Sequence, residues 1–326
     1  MLCILNNSTD PYFNLAAEEY FFSNFKDNIF MLWRNSPAII VGKHQNTLAE
    51  INYDYVKENN IKVVRRMTGG GAVFHDLGNI NFTFIETGES EKLVDFRKYV
   101  QPILDILLKL GVDAKFEGRN DLTIDGKKFS GNAEHVYKNR ILHHGTILFS
   151  AKMSDLTKAL NVKDVKFTDK AVKSVRSRVT NVSEHLKNPI TALEFINLVF
   201  NHILEMYDDA VIYEISEQDK EKIEELVKNK YSTWEWNFGY SPEYNFDKSV
   251  RTDGGTLEVS MFVENGVIQR LKFYGDFFTH KDISELEEAF CGVPHKEDEI
   301  KKIFESFKID DYFLNINEND ILKVLF

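Results

Sequence analysis

Apolar residues recur at helical spacing in two long stretches. Between Asp95 and Leu110, Val100, Ile103, Leu104, Leu107 and Leu108 fall on one face, and Gly111 supplies a stop. In TALEFINLVFNHILEMY, Phe195, Ile196, Val199, Phe200, Ile203 and Leu204 do the same. Asn14 is placed to cap a helix through LAAEEYFFSNF, with Glu18 and Glu19 near its positive end. IFMLWR, PAIIVG, IKVVRR, AVFHD, NINFTFIE and ILHHGTILFS have strand length and character, INYDYVKENN reads as a short helix, and DLTIDGKKFS folds as a hairpin about Asp125–Gly126. The aromatic segment NKYSTWEWNFGYSPEYNFDKS reads as an extended connector. Beyond it, TLEVSMFV and VIQRLKFY form a hairpin about Asn265–Gly266, with Val267, Leu271 and Phe273 on one face. Asp282 and Glu285 have capping-box spacing before an amphipathic segment, and KEDEIKKIFESF reads as a last helix. The expected class is α+β: a large mixed-sheet domain over residues 1–246 and a small C-terminal α/β domain over 247–326.

Composition narrows the field. The chain has 326 residues, 43% of them hydrophobic, with 26 Phe and 13 Tyr to fill a core. Its opening carries no basic, apolar leader and no stretch approaches a membrane span, which points to the cytoplasm and away from a membrane partner. Cys3 and Cys291 are the two cysteines, too few for a disulfide scaffold or a cysteine zinc site. A net charge of −11 argues against nucleic-acid binding. The basic run from Lys163 to Arg178 departs from that balance, either as a solvated face or as a local anion site.

Chemistry concentrates in a few segments. RRMTGGGAVFHD holds three consecutive glycines, which remove every Cβ and open the backbone N–H groups to a ligand. No GKS or GKT follows, and Phe74 stands where a dinucleotide fingerprint needs its third glycine. Arg65 and Arg66 precede the glycines on a strand, so one faces the site and can hold an anion while the other faces away. In GRNDLTIDGKKFSGNA, Lys127 and Lys128 likewise point apart, beside the small patch Ser130–Ala133. Asn120 and Asp121 are placed to orient a lysine or a metal-bound phosphate. In LHHGT one histidine faces inward. With His75 it is either a core hydrogen-bonding residue or a ligand contact. Lys173, Arg176 and Arg178 can meet phosphates. Together these describe a nucleotide-type anion site without a Walker motif.

In order and spacing, DPYFNLAAEEYFF, LWRNSPAIIVGKHQN, RRMTGGGAVFHDLGNINFTF, GRNDLTIDGKKFSGNA, LHHGTILFS, SVRSRVTN and STWEWNFG resemble segments of bacterial A-type lipoate–protein ligases. The resemblance covers most of residues 10–245 and continues more faintly to the end. It implies a large domain like the biotin-ligase catalytic core, with a small C-terminal domain. It implies ATP and Mg²⁺ as cofactors and lipoate as substrate. The carriers would be apo lipoyl domains of 2-oxoacid dehydrogenases, glycine-cleavage H protein, or both. By motif match, Lys128 is the central catalytic lysine. Arg66, Gly70, Gly71, Ala72, Val73, Phe74, His75, Asn120, Asp121, His144, Lys173 and Arg176 are expected to bind ATP and the lipoyl adenylate, with Asp121 meeting Mg²⁺ through phosphates. Met67–Thr68 departs from the small hydroxyl pairs of other members, which bears on substrate preference. Two other readings are weighed against this one. A related acyltransferase would need a cysteine nucleophile, and neither cysteine lies near these motifs. A non-catalytic carrier-binding protein would not need Arg66 and Lys128.

Overall fold

A computed structural model describes the chain except residues 46, 89–94, 119, 153, 155–157, 161–178, 234–235, 238–245, 265–266, 295–296 and 326. Strands β1 (Leu2–Leu5) and β2 (Ile29–Trp33) flank helix α1 (Pro11–Asn24). Strand β3 (Ala38–Val41) precedes two short helices, α2 (Thr47–Glu50) and α3 (Tyr53–Glu58), and β4 (Lys62–Arg65). The glycine cluster leads into β5 (Val73–His75) and β6 (Asn79–Thr87). Next come α4 (Phe96–Lys109), β7 (Ala114–Glu117), β8 (Asp121–Ile124), β9 (Lys127–Tyr137) and β10 (Arg140–Leu148). Helix α5 (Ala192–Met206), strand β11 (Val211–Ile212) and helix α6 (Glu217–Leu226) follow. The C-terminal part holds β12 (Phe246–Thr252), β13 (Gly255–Glu264), β14 (Val267–Gly275), α7 (Ser284–Phe290), α8 (Glu297–Ser306) and α9 (Glu318–Leu325).

The large sheet is mixed, in the order β11-β1-β2-β6-β10-β9-β8-β7. Strand β2 shows why its sequence reads as unbroken apolar: both faces of the sheet are covered. Phe30 and Leu32 face α4 and α5, with Phe82, Tyr99, Ile103 and Phe195. Ile29, Met31 and Trp33 face α1, with Leu15, Phe21 and Ile85. A second sheet, β4-β3-β5, carries the glycine cluster between β4 and β5. The third, β12-β13-β14, packs on its own core with Leu257, Phe273, Leu286, Ile300 and Ile321. The α+β class, with a large mixed sheet and a small C-terminal sheet, is therefore observed. Among the described residues, no helix is long and apolar enough to cross a membrane.

Several local expectations change. Helix α1 begins before Asn14, because Pro11 fits the first turn and the Asp10 carboxylate accepts from Tyr12 N at 2.9 Å. Asn14 is instead fully buried: its amide donates to Ser8 O, Arg34 O and Asn35 Oδ1 and accepts from Asn6. Leu108 leaves the buried face of α4 at 66% exposure, and Ile106 and Tyr99 are buried with Val100, Ile103 and Leu107. The stretch expected to be an extended connector starts as a helical turn at Val227–Tyr231, and the buried Asn237 anchors its next part. The register of β13 and β14 slips between Phe262 and Val263, so Ile268 rather than Val267 joins Leu271 in the core. The Asn265–Gly266 turn lies outside the described residues. No capping box forms at Asp282. Its carboxylate accepts from Ser284 N, one residue after the cap position Ile283, and pairs with Lys43. Helix α9 was not expected from the pattern.

The paired arginines separate as strand geometry requires. Arg65 is fully buried, and its guanidinium donates to Trp236 O, Gly42 O, Lys43 O, Gln45 O, Asn237 O and Thr47 Oγ1. Trp236 Nε1 and Asn237 Oδ1 occupy the backbone groups of Arg65 at the edge of β4. Arg65→Ala is expected to lower unfolding stability by about 3 to 5 kcal/mol, because it strands buried carbonyls. Urea denaturation checks this, and a loss below about 1 kcal/mol would contradict this role for Arg65.

Candidate active site

A cavity of about 410 Å³ opens where the glycine cluster meets β9 and β10. Arg66, Gly70, Gly71, Ala72, Val73, Phe74, His75, Asn120, Asp121, Lys128 and His144 all line it. Lys173 and Arg176 lie outside the described residues. Leu15, Trp33, Ile40, Phe129 and Leu148 give the cavity apolar walls.

The glycines serve close approach. Gly70 adopts φ +92°, and a Cβ there would stand 2.8 Å from Arg66 Nη2. A Cβ on Gly69 would meet Phe277 O at 2.3 Å, so the loop sits directly under the C-terminal segment. Gly70 N donates to the same carbonyl, and Gly275 N donates to His44 O. Arg66 shapes this loop. Its Nε donates to Thr68 Oγ1 and Gly69 O, its Nη2 to Gly69 O and Gly71 O, and its Nη1 to Ile40 O. Of the five guanidinium N–H groups, one Nη1 hydrogen remains for a ligand. Burial lowers the Arg66 pKa to about 10, which leaves the group charged at neutral pH.

Lys128 and Asp121 form an ion pair at 2.7 Å across the β8–β9 hairpin. The turn has positive φ at both Asp125 and Gly126, as its sequence predicts. A register shift makes Phe129 the extra residue of β9, and both Lys128 and Ser130 line the cavity while Lys127 stays exposed. Asn120 does not orient the lysine. It clamps Asn132 through reciprocal amide–carbonyl bonds of 2.6 and 3.0 Å.

Two histidines, His75 and His144, line the wall. Asn35 Oδ1 accepts from Asn14, so its Nδ2 donates to His75 Nδ1 and the ring proton of His75 sits on Nε2. Burial holds His75 neutral, with its pKa lowered to about 3. His75 Nε2, Asn79 Oδ1 and Asn81 Nδ2 are buried cavity-lining residues' atoms without a hydrogen-bond partner among the described residues. They offer a donor, an acceptor and a donor to a polar, uncharged ligand edge. His144 belongs to a chain the sequence reading missed. Its Nδ1 meets the buried Glu18 carboxylate at 2.9 Å, and its Nε2 meets Thr68 Oγ1 at 2.8 Å. Thr83 Oγ1 also donates to Glu18, and accepts from Trp33 Nε1. The sequence reading placed Glu18 only as an acidic residue near the positive end of the first helix, and the structure buries it as a partner of His144.

His143 points to the opposite face, into the core. Its Nδ1 is 2.8 Å from Glu134 Oε1, and its Nε2 is 3.3 Å from Asn132 Oδ1. Burial pushes Glu134 up to about 9 and His143 well below its ordinary range. The pair is therefore neutral: Glu134 donates its proton to Nδ1, and Nε2–H holds Asn132 at the cavity wall. Between the ordinary carboxylate range and about pH 9, folded Glu134 keeps a proton that the unfolded chain releases. Its contribution thus lowers stability as pH rises through that window and levels off above it. Glu134→Gln keeps an N–H donor with no proton to lose, so its stability relative to the parent should grow from pH 5 to pH 9. Denaturation midpoints at both pH values check this, and a constant difference would refute the neutral pair.

These features define a class: an α+β protein with a part-apolar cavity lined by a glycine loop, a buried arginine and a hairpin lysine. Residues 10–204 match the family described as the lipoyl protein ligase A/B catalytic domain, and residues 241–325 match the bacterial lipoate protein ligase C-terminus. The chain is 40% identical to the lipoate-protein ligase LplJ of Bacillus subtilis, over 100% of both chains. It superposes on P. falciparum LipL1 in complex with lipoate with a TM-score of 0.80 and 27% identity, covering 99% of this chain and 98% of that one. A lipoate-protein ligase A bound with ATP gives a TM-score of 0.62 and 28% identity, over 74% of this chain and 98% of that one. The chain belongs to the lipoate–protein ligase family.

Proposed function

We propose that the chain activates lipoate with ATP and transfers the lipoyl group to a carrier lysine. A lipoate carboxylate oxygen attacks the α-phosphorus, giving lipoyl-AMP and releasing pyrophosphate. The carrier amine then attacks the acyl carbon, forming an amide, losing a proton and expelling AMP. The observation that carries this reading is the convergence of Lys128, the Arg66-braced glycine loop and apolar walls on one cavity. Attack of one anion on another needs neutralisation of charge, and Lys128 is placed to supply it. The backbone of Gly70–Phe74 receives the adenylate. His75 Nε2, Asn79 Oδ1 and Asn81 Nδ2 suit the polar edge of a nucleobase, whereas Trp33, Leu15 and Leu148 suit an alkyl chain.

Among the described residues, no cluster of three metal-ligating side chains exists. Asp121, the carboxylate beside Lys128, fits a Mg²⁺ ion held chiefly by phosphates and water. Such an ion would add positive charge at the phosphates. The proposed division is a catalytic unit over 1–246 and an accessory unit over 247–326, the latter supported by the separate core of β12–β14 and α7–α9. The proposed carriers are apo lipoyl domains or H protein, and the proposed compartment is the cytoplasm.

Lipoate-dependent ATP–pyrophosphate exchange tests the first step. Lys128→Ala is expected to lose roughly 100-fold or more, and Lys127→Ala to stay near the parent. Equal losses would mean that the pair acts as surface charge. The cysteine-transferase reading is disfavoured by geometry. Cys3 is buried in β1, where burial raises its thiol to about 11, and Cys291 follows α7. Neither lines the cavity. A Cys3→Ala, Cys291→Ser variant should therefore keep full ATP-dependent lipoylation of an apo carrier. Loss of that activity in a folded protein would revive the thioester route.

A further inference from the structure

The cavity has a cation that the family motifs do not contain. Arg251 of β12 lines it together with Asp276 and Phe278, so the C-terminal sheet supplies part of the wall. The guanidinium is held at one corner. Arg251 Nη1 donates to Thr256 Oγ1 at 2.8 Å and lies 3.3 Å from Asp276 Oδ2. Asp276 is anchored in turn, because its Oδ1 accepts from Thr256 N. It also packs over the glycine loop: a Cβ on Gly71 would be 3.8 Å from Asp276 Cβ. Asp276 and Thr256 thus fix the position of Arg251 relative to that loop. No partner for its Nε or Nη2 is present among the described residues, and its side chain is 64% exposed.

Comparison with the other cations at the cavity narrows its use. Three described cations line the wall: Arg66, Lys128 and Arg251. Arg66 is enclosed and engaged by loop carbonyls and Thr68. Lys128 is paired with Asp121. Arg251 keeps the planar Nε–Nη2 edge of its fork, a geometry suited to bidentate contact with two phosphate oxygens. The buried donors and acceptors on His75, Asn79 and Asn81 are uncharged and suit a base, whereas Arg251 lies at the exposed rim. We infer that Arg251 binds the β- and γ-phosphates of the nucleotide, so the C-terminal sheet takes part in adenylate formation. The inference rests on the ATP-dependent reading above. Pyrophosphate leaves with the electron pair of the broken P–O bond, and a guanidinium beside it would hold that charge.

The test uses the full-length protein and two probes, the non-hydrolysable α,β-methylene-ATP and AMP, titrated by calorimetry. Arg251→Ala should weaken the triphosphate analogue by about tenfold. AMP affinity should change by less than about twofold, since AMP lacks the contacted groups. In pyrophosphate exchange, the KM for ATP should rise more than kcat falls, and Arg251→Lys should recover part of the loss. Unchanged affinity for the analogue would overturn the assignment. So would equal weakening of the analogue and AMP, or a matching fall in melting temperature, either of which marks a purely structural role. A parent protein that binds the analogue but shows no lipoate-dependent exchange would sink the ligase reading instead.

Discussion

Two guanidinium groups on consecutive residues, the last of one short strand and the one after it, hold the glycine loop and its supports in place. A buried charge persists only where its donors are satisfied, and both groups meet that demand largely with backbone carbonyls. Arg65 gathers the turn after β3 and the segment at Trp236–Asn237. Arg66 gathers the carbonyls of Gly69 and Gly71. With those carbonyls engaged by a guanidinium, their dipoles oppose an anion at the loop less.

Around that loop, the interior uses neutral polar groups. His75 and His143 are both held uncharged by burial, and Glu134 keeps its proton. Each fixes a neighbour by hydrogen bonding: His75 is set by Asn35, and His143 sets Asn132. Among the described residues, the lysine and arginine side chains at the cavity wall are Arg66, Lys128 and Arg251. Two carboxylates share that wall, and each is met by one of these cations: Asp121 by Lys128 and Asp276 by Arg251. The buried Glu18 carboxylate is met by His144 and Thr83.

The contact between the glycine loop and the C-terminal segment links the two sheets to one site. Phe277 O receives Gly70 N, Phe277 stacks on His44, and Lys43 pairs with Asp282. Gly69 permits this contact because any side chain there would collide with Phe277 O. The loop therefore answers to two demands: an open backbone toward the ligand and a bare backbone toward the C-terminal segment.

Residue pattern alone determined the elements whose signals are local. The helical periodicity of α4 and α5, the Asp125–Gly126 hairpin, the opposed arginines and the opposed lysines all follow from spacing and backbone geometry. The described residues named through the family resemblance line one cavity, together with others that the motifs did not mark, such as Asn81 and Asp276. Other features needed the tertiary structure, because their cause is distant in the chain. Asn14 became an interior bracket when α1 met the loop at Asn35, and Glu18 became a histidine partner 126 positions away. The bulges at Phe129 and near Ile268 decided which residues face inward, and a one-residue slip of this kind leaves no mark in a short apolar run. Arg251 entered the site because β12 was brought beside the glycine loop, which no spacing within either segment records. Local backbone preference is written residue by residue, whereas the pairing of buried polar groups is set by which surfaces meet.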